Sequence, residues 1–342
     1  MADLFHWRAL TTAINEIPAA PSFLTDKVFK TKVQALAEEI DVDVVIGGKR
    51  LAPFVSPVEG GIVVAELARK MQSVRAPRLR PKKVLAANDL LSVRSPGAAL
   101  YLGEGGIDEY KNQRIGVELS DLKNMIVRTT EWMASQALQG ELIVSQENIE
   151  FKIDYLLPES HKPALTTGNY WDETTSENSD PVQDILTWKR LISSDTGYSA
   201  DVAIAGTDAI DALLGHSKVR EILNYRHFNV GEISVGRSNY IGRLVGVDIY
   251  EYDATYTDSA GASQNFIDPK SFIMVASDGP FRMHYALVYD LDNAVAVAQP
   301  FFAKSWTEAD PSMLWLLAES RPLPVPHWPE CIVYCESVIA PE

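Results

Sequence analysis

The chain predicts an α+β fold, and three stretches carry that reading: a long amphipathic helix, a β-hairpin directly behind it, and a mixed helix-and-strand region beyond a polar interval.

The helix is expected over residues 111–139. At about 100° per residue, Ile115, Leu119, Leu122, Ile126, Thr129, Met133 and Ala137 fall on one stripe, with Asp121, Asn124, Arg128, Glu131 and Ser135 opposite. Met125 and Trp132 add a second apolar flank. No proline interrupts the pattern, and Gly140 stands where a left-handed cap is wanted. At ~1.5 Å per residue such a helix is about 40 Å long. That exceeds twice the usual length, since a typical helix has about 11 or 12 residues. It is long enough to serve as a spine.

Behind Gly140 the hairpin is expected over residues 141–155. Ile149, Phe151, Ile153 and Tyr155 alternate with Glu150, Lys152 and Asp154. The polar interval 160–180 reads as a domain boundary. Asp180 then caps a helix, with Pro181 at its first position and Gln183 completing a capping box. A strand at 202–204, helices near 209–214 and 218–223, and strands near 232–235, 244–252, 272–276 and 283–289 make a separate α/β domain. The closing runs 313–318 and 331–334 are strand-like, and are expected to return to the hairpin behind the spine.

Ahead of the spine, residues 1–45 read as an arm lying on another surface rather than as the start of a core. Pro18 and Pro21 interrupt regular structure, yet Phe5, Trp7, Phe23 and Phe29 are too apolar for a free tail. Residues 44–84 alternate strand-like runs with Gly47, Gly48, Pro53, Pro57, Gly60 and Gly61, as a long hairpin loop does. Its return limb carries Arg69, Lys70, Arg75, Arg78, Arg80, Lys82 and Lys83 against Glu66 alone. Three readings stand: docking on an acidic surface of another copy, a solvated loop, or a nucleic-acid arm. The net charge of −15 favours the first, and the limb lacks the interleaved aromatics that base stacking uses.

At 342 residues, two domains are expected. Cys331 and Cys335 are too few for a disulfide framework, which points to a reducing compartment. On a strand they sit about 13 Å apart at ~3.3 Å per residue, too far for a bridge or, with His327, for a zinc site. No signal segment or run of ~18 apolar residues occurs, so a soluble, non-exported protein is expected.

Catalytic signals are lacking. No phosphate loop, dinucleotide turn or nucleophile elbow is found, and Gly103, Gly105 and Gly106 have only their glycine count in favour. The six histidines are scattered, His284 reads as a packed strand residue, and Asp41 and Asp43 read as a solvated turn. The sequence thus offers no catalytic, cofactor-binding or metal-ligating residue, and no cofactor.

Several segments, in order, resemble the major capsid protein family of tailed phages typified by the phage lambda head protein. They are Phe23-Leu-Thr-Asp-Lys-Val-Phe29, Ala52-Pro-Phe-Val-Ser-Pro-Val-Glu-Gly60, Arg80-Pro-Lys82, the stretch from Asp180 to Leu223, and Phe266-Ile-Asp-Pro through Val288. The resemblance implies an HK97-type capsid fold: an N-terminal arm (1–45), an extended loop (46–85), a peripheral domain (86–170 and 308–325) with the spine helix, and an axial domain (171–307). The strand in 326–342 has no assigned domain. It further implies hexamers and pentamers closing an icosahedral, DNA-enclosing shell within the virion, assembled in the host bacterial cytoplasm. Implied partners are other copies, a portal protein, an optional decoration protein, and packaged double-stranded DNA held without sequence-specific binding. No long helical segment precedes the arm, so a separate scaffolding protein is expected. The alternative is an encapsulin-like shell around a cargo enzyme. Candidate inter-subunit contacts are Phe54, Arg75, Arg78, Arg80, Lys82, Lys83 and Trp132.

Overall fold

The structure, a computed structural model, describes residues 6–18, 22–37, 39–46, 68–86, 106–146, 149–173, 176, 178–225, 239–258, 261–290, 295–308, 310 and 313–341. In chain order the elements begin with α1 (Trp7–Glu16), α2 (Phe23–Lys27), β1 (Thr31–Gln34), β2 (Glu39–Ile46), β3 (Ala68–Arg75) and β4 (Lys82–Ala86). The long helix α3 (Gly106–Gln139) leads into β5 (Glu141–Gln146) and β6 (Ile149–Asp154). Next come α4 (Pro181–Thr196), β7 (Val202–Ala205), α5 (Thr207–Gly215) and α6 (Ser217–Tyr225). Strands follow: β8 (Tyr240–Leu244), β9 (Val247–Glu251), β10 (Thr255–Thr257), β11 (Ser263–Asn265), β12 (Phe272–Val275), β13 (Phe281–Tyr285), β14 (Val288–Asp290) and β15 (Val295–Val297). The chain closes with β16 (Phe302–Glu308), β17 (Met313–Glu319), β18 (Pro322–Pro326) and β19 (Ile332–Cys335).

Two compact units result. The first comprises Met1–Ile40, Ser73–Met133 and Met283–Pro324; the second comprises Asp41–Gln72, Ala134–Arg282 and Val325–Glu342.

Helix α3 starts at Gly106, earlier than expected, and stops where Gly140 turns with φ of +98°. A Cβ there would lie 2.9 Å from the Leu157 side chain, so conformation and space both demand glycine. Of the expected stripe, Ile115, Leu119, Leu122, Ile126, Met133 and Ala137 are buried, while Thr129 is half-buried and donates its hydroxyl to the Met125 carbonyl at 3.0 Å. Asp121 and Arg128 are exposed as expected, but Glu131 and Ser135 are buried.

In the first unit Leu10 and Ile14 of α1 join Leu85, Ile115, Leu119, Leu122, Ile126, Leu314 and Leu316 in one apolar core. One part of the arm reading is corrected here: α1 joins the core of its own chain. The i, i+4 pair Leu10/Ile14 packs α1 onto its own chain instead of leaving it for another surface. Over this core lies an antiparallel sheet of order β16-β17-β4. Strand alternation sends Leu85, Leu314, Leu316 and Ala318 inward, and Val84, Trp306 and Trp315 to the other face.

The second unit holds a five-stranded sheet of order β19-β12-β7-β9-β8, in which β7 and β9 run parallel. Every residue of β7 and β12 is buried. The Asp180 carboxylate accepts the Gln183 amide at 3.1 Å, Pro181 opens α4, and left-handed Gly197 ends it. The final strand does not return to the hairpin. β19 pairs with β12, β17 pairs with β16 and β4, and β5 and β6 form a two-stranded sheet. An almost continuously apolar strand such as β19 suits a sheet covered on both faces, whereas the hairpin alternates.

The polar interval 160–180 lies within the second unit. His161 is fully buried between the Ile332 carbonyl (2.8 Å) and Asp195 (3.0 Å). Trp171 stacks on Trp188, meets Phe272 edge-on, and donates its indole N–H to Asp184 at 2.9 Å. A few buried anchors, His161, Trp171 and Ser179, thus tie down a segment whose average polarity reads as linker. Asp41 and Asp43 lie in β2 and not in a turn. Cys331 and Cys335 are buried and free, and His284 is buried in β13. The expected strand 232–235, the loop 47–67 with Phe54, and Gly103 and Gly105 lie outside the described residues.

Candidate assembly surfaces

The basic limb ends at β4, where most of its charges meet partners in the first unit. Glu319, with 1% of its side chain exposed, accepts from Arg78 Nε (2.5 Å) and Nη2 (2.9 Å) and lies 3.2 Å from Arg80 Nε. Lys83 pairs with Glu118 at 2.7 Å and with Asp121. Burial works against the Lys83 ammonium, but hydrogen bonds to Asp121 and then Glu118 outweigh it and raise its pKa. The Lys82 ammonium sits 4.8 Å from the Trp315 ring centroid. Arg75 ends β3 and is exposed. The acids that receive these cations, Glu118, Asp121 and Glu319, are far away in sequence and carry no local signal of the role.

Outward from the same sheet, Trp306 and Trp315 stack at 5.8 Å with planes 5° apart, and Val84 lies opposite Trp315 in the register. Trp306 and Val84 are each 39% exposed. On α3, Val117 and Met125 are exposed and Trp132 is half-buried. A shallow groove runs beside Val117, lined by Ile17, Gly116, Ser120 and Asn124.

The arm itself is held by α3. The Lys123 ammonium, buried, donates to the carbonyls of Ile14 (2.7 Å), Asn15 (3.4 Å) and Ile17 (2.6 Å) at the end of α1. Burial, with the Lys32 charge adding, lowers its pKa, and those acceptors compensate the charge. The buried Glu131 carboxylate accepts from the amides of Leu24 (2.6 Å) and Thr25 (3.0 Å) and the Thr25 hydroxyl (2.8 Å). Helical periodicity assigned Glu131 to solvent because it reads polarity and cannot see a backbone partner a hundred residues away.

Among the described residues, no group of three or more His, Cys, Asp or Glu side chains could hold a metal ion, and no helix is long and apolar enough to cross a membrane. Residues 6–336 match the family described as phage major capsid protein E. The chain belongs to that family.

Phage major capsid proteins of this family are structural shell components and not enzymes, and they assemble with copies of themselves into capsids. The putative capsid protein of a prophage of Escherichia coli CFT073 is similar in structure, with a TM-score of 0.73 and 19% identity, over 98% of this chain and 99% of that chain. A phage-related protein of Bordetella bronchiseptica RB50 gives a TM-score of 0.57 and 14% identity, over 98% of each chain. A chain of Microbacterium phage Oxtober96 gives 0.50 and 10%, over 94% of this chain and 92% of that one. The shared fold is the HK97 type. No curated protein matches the sequence.

Proposed function

We propose that this chain is the head-shell subunit of a tailed double-stranded DNA phage. It assembles in the host bacterial cytoplasm as hexamers and pentamers into an icosahedral virion shell. The family match over residues 6–336 carries the proposal, and it favours a phage head over an encapsulin-like cargo shell. A separate scaffolding protein guides assembly, a portal protein occupies one vertex, and a decoration protein is an optional addition. DNA fills the interior without base-specific contacts, which the net charge of −15 on the chain supports.

Within the subunit, residues 1–45 are the arm, 46–85 the extended loop, 86–170 and 308–325 the peripheral domain, and 171–307 the axial domain. Pairing of β19 with β12 supports adding the C-terminal strand to the axial domain. Phe54, Arg75, Arg78, Arg80, Lys82, Lys83 and Trp132 contact neighbouring copies. For Arg78, Arg80 and Lys83 this use is shared with partners in their own chain. Replacing residues 50–64 by a short Gly/Ser linker tests the loop. These bounds spare β3 and the Arg78–Glu319 contact. A folded subunit that no longer sediments as shells is the expected result; full-size particles would remove the loop from the interface.

A further inference from the structure

Lys123 and Glu131 are eight residues apart on α3, about 12 Å along the axis at ~1.5 Å per residue, too far to pair with each other. Each instead closes one end of one arm helix. Lys123 meets the carbonyls that end α1, and the Phe301 ring lies 4.8 Å from its ammonium. Glu131 takes the amides at the second and third positions of α2, the pair that an N-cap side chain normally satisfies. Ser22, in the cap position, makes no such bond and contacts Asp26 instead. The signs also match the helix ends: a cation at carbonyls, an anion at amides.

We propose that Lys123 and Glu131 are two separate locks on the arm, one holding α1 and the other α2, so that either segment can leave α3 while the other stays docked. Lys123 takes carbonyls at the end of α1 and Glu131 takes amides at the start of α2, and Pro18 and Pro21 prevent one helix from running through both segments. Leu10 and Ile14 belong to the core cluster that includes Ile115, Leu119, Leu122 and Ile126 of α3, whereas Leu24, Val28 and Phe29 are buried without belonging to it. The inference concerns the single chain and stands apart from the assembly reading.

Hydrogen exchange measured by mass spectrometry on the full chain tests it. Lys123→Met is expected to lower protection in residues 7–17 by about tenfold or more and leave 22–29 unchanged, and Glu131→Gln to do the reverse, including the Leu24 and Thr25 amides. The swapped pair Lys123→Glu with Glu131→Lys is expected to loosen both segments, because each charge then faces the wrong helix end. Equal loosening of both segments by either single change, or protection restored by the swap, overturns the proposal. If a variant does not fold, native-state exchange of the unaltered protein in low urea decides. Two distinct openings for 7–17 and 22–29 support separate locks, and one shared opening overturns them.

Discussion

Glu319 is the acid on which the β4 limb depends, and its two guanidinium partners keep 39% and 41% of their side chains exposed. Glu319→Ala therefore leaves arginines that water can partly rehydrate, at a cost of about 2 kcal/mol and not the larger penalty of a fully buried pair. A urea midpoint that falls with an unchanged slope checks this. His216 sets a pH dependence. Its Nδ1 accepts the Lys218 amide at 3.3 Å at the start of α6, and its Nε2 faces the Ser179 hydroxyl at 3.2 Å, which donates to the Tyr170 carbonyl. Burial, then the Lys218 charge, lowers the His216 pKa, with Asp180 opposing. The unfolded chain thus binds a proton where the folded one does not. Stability from this group is complete above about pH 6.5 and is lost as pH falls through the window below it. His216→Asn keeps a cap and is expected to flatten that slope in urea titrations carried below about pH 6.5. Neither Glu319 nor His216 was legible in these roles, because a buried polar side chain is defined by its partners, and Arg78 lies 241 residues from Glu319 and Ser179 37 residues from His216.

Elements were more legible than residues. The spine helix, its Gly140 cap, the hairpin and the Asp180–Pro181 helix start all follow from spacing and local backbone chemistry, which tertiary contacts do not override there. The misreadings share a cause: the fate of β19, of α1 and of the interval around Trp171 depends on what each packs against. Two glycines test the local account from opposite directions. A Cβ at Gly116 in α3 meets nothing within 4 Å, so Gly116→Ala is expected to stabilise by about 0.5–1 kcal/mol. At Gly206 a Cβ would fall 2.4 Å from the backbone oxygens of Asp268 and Pro269, so Gly206→Ala is expected to cost about 2 kcal/mol or more. Denaturant midpoints of the two variants, moving in opposite directions, check both.

For the whole molecule, the family and the exposed surfaces point the same way. The Trp306–Trp315–Val84 face and the Val117 and Met125 flank of α3 present apolar area that contacts between copies would bury, at about 25 cal/mol per Å². Like-charged subunits of net −15 repel one another, so such contacts must outweigh that repulsion on assembly. Cryo-electron microscopy of the particles formed when this chain is expressed with the phage's other head genes is the most direct test. Closed shells in which this chain fills five- and six-membered rings are the expected result. Shells built from a different chain, with this one remaining a free monomer, would contradict it.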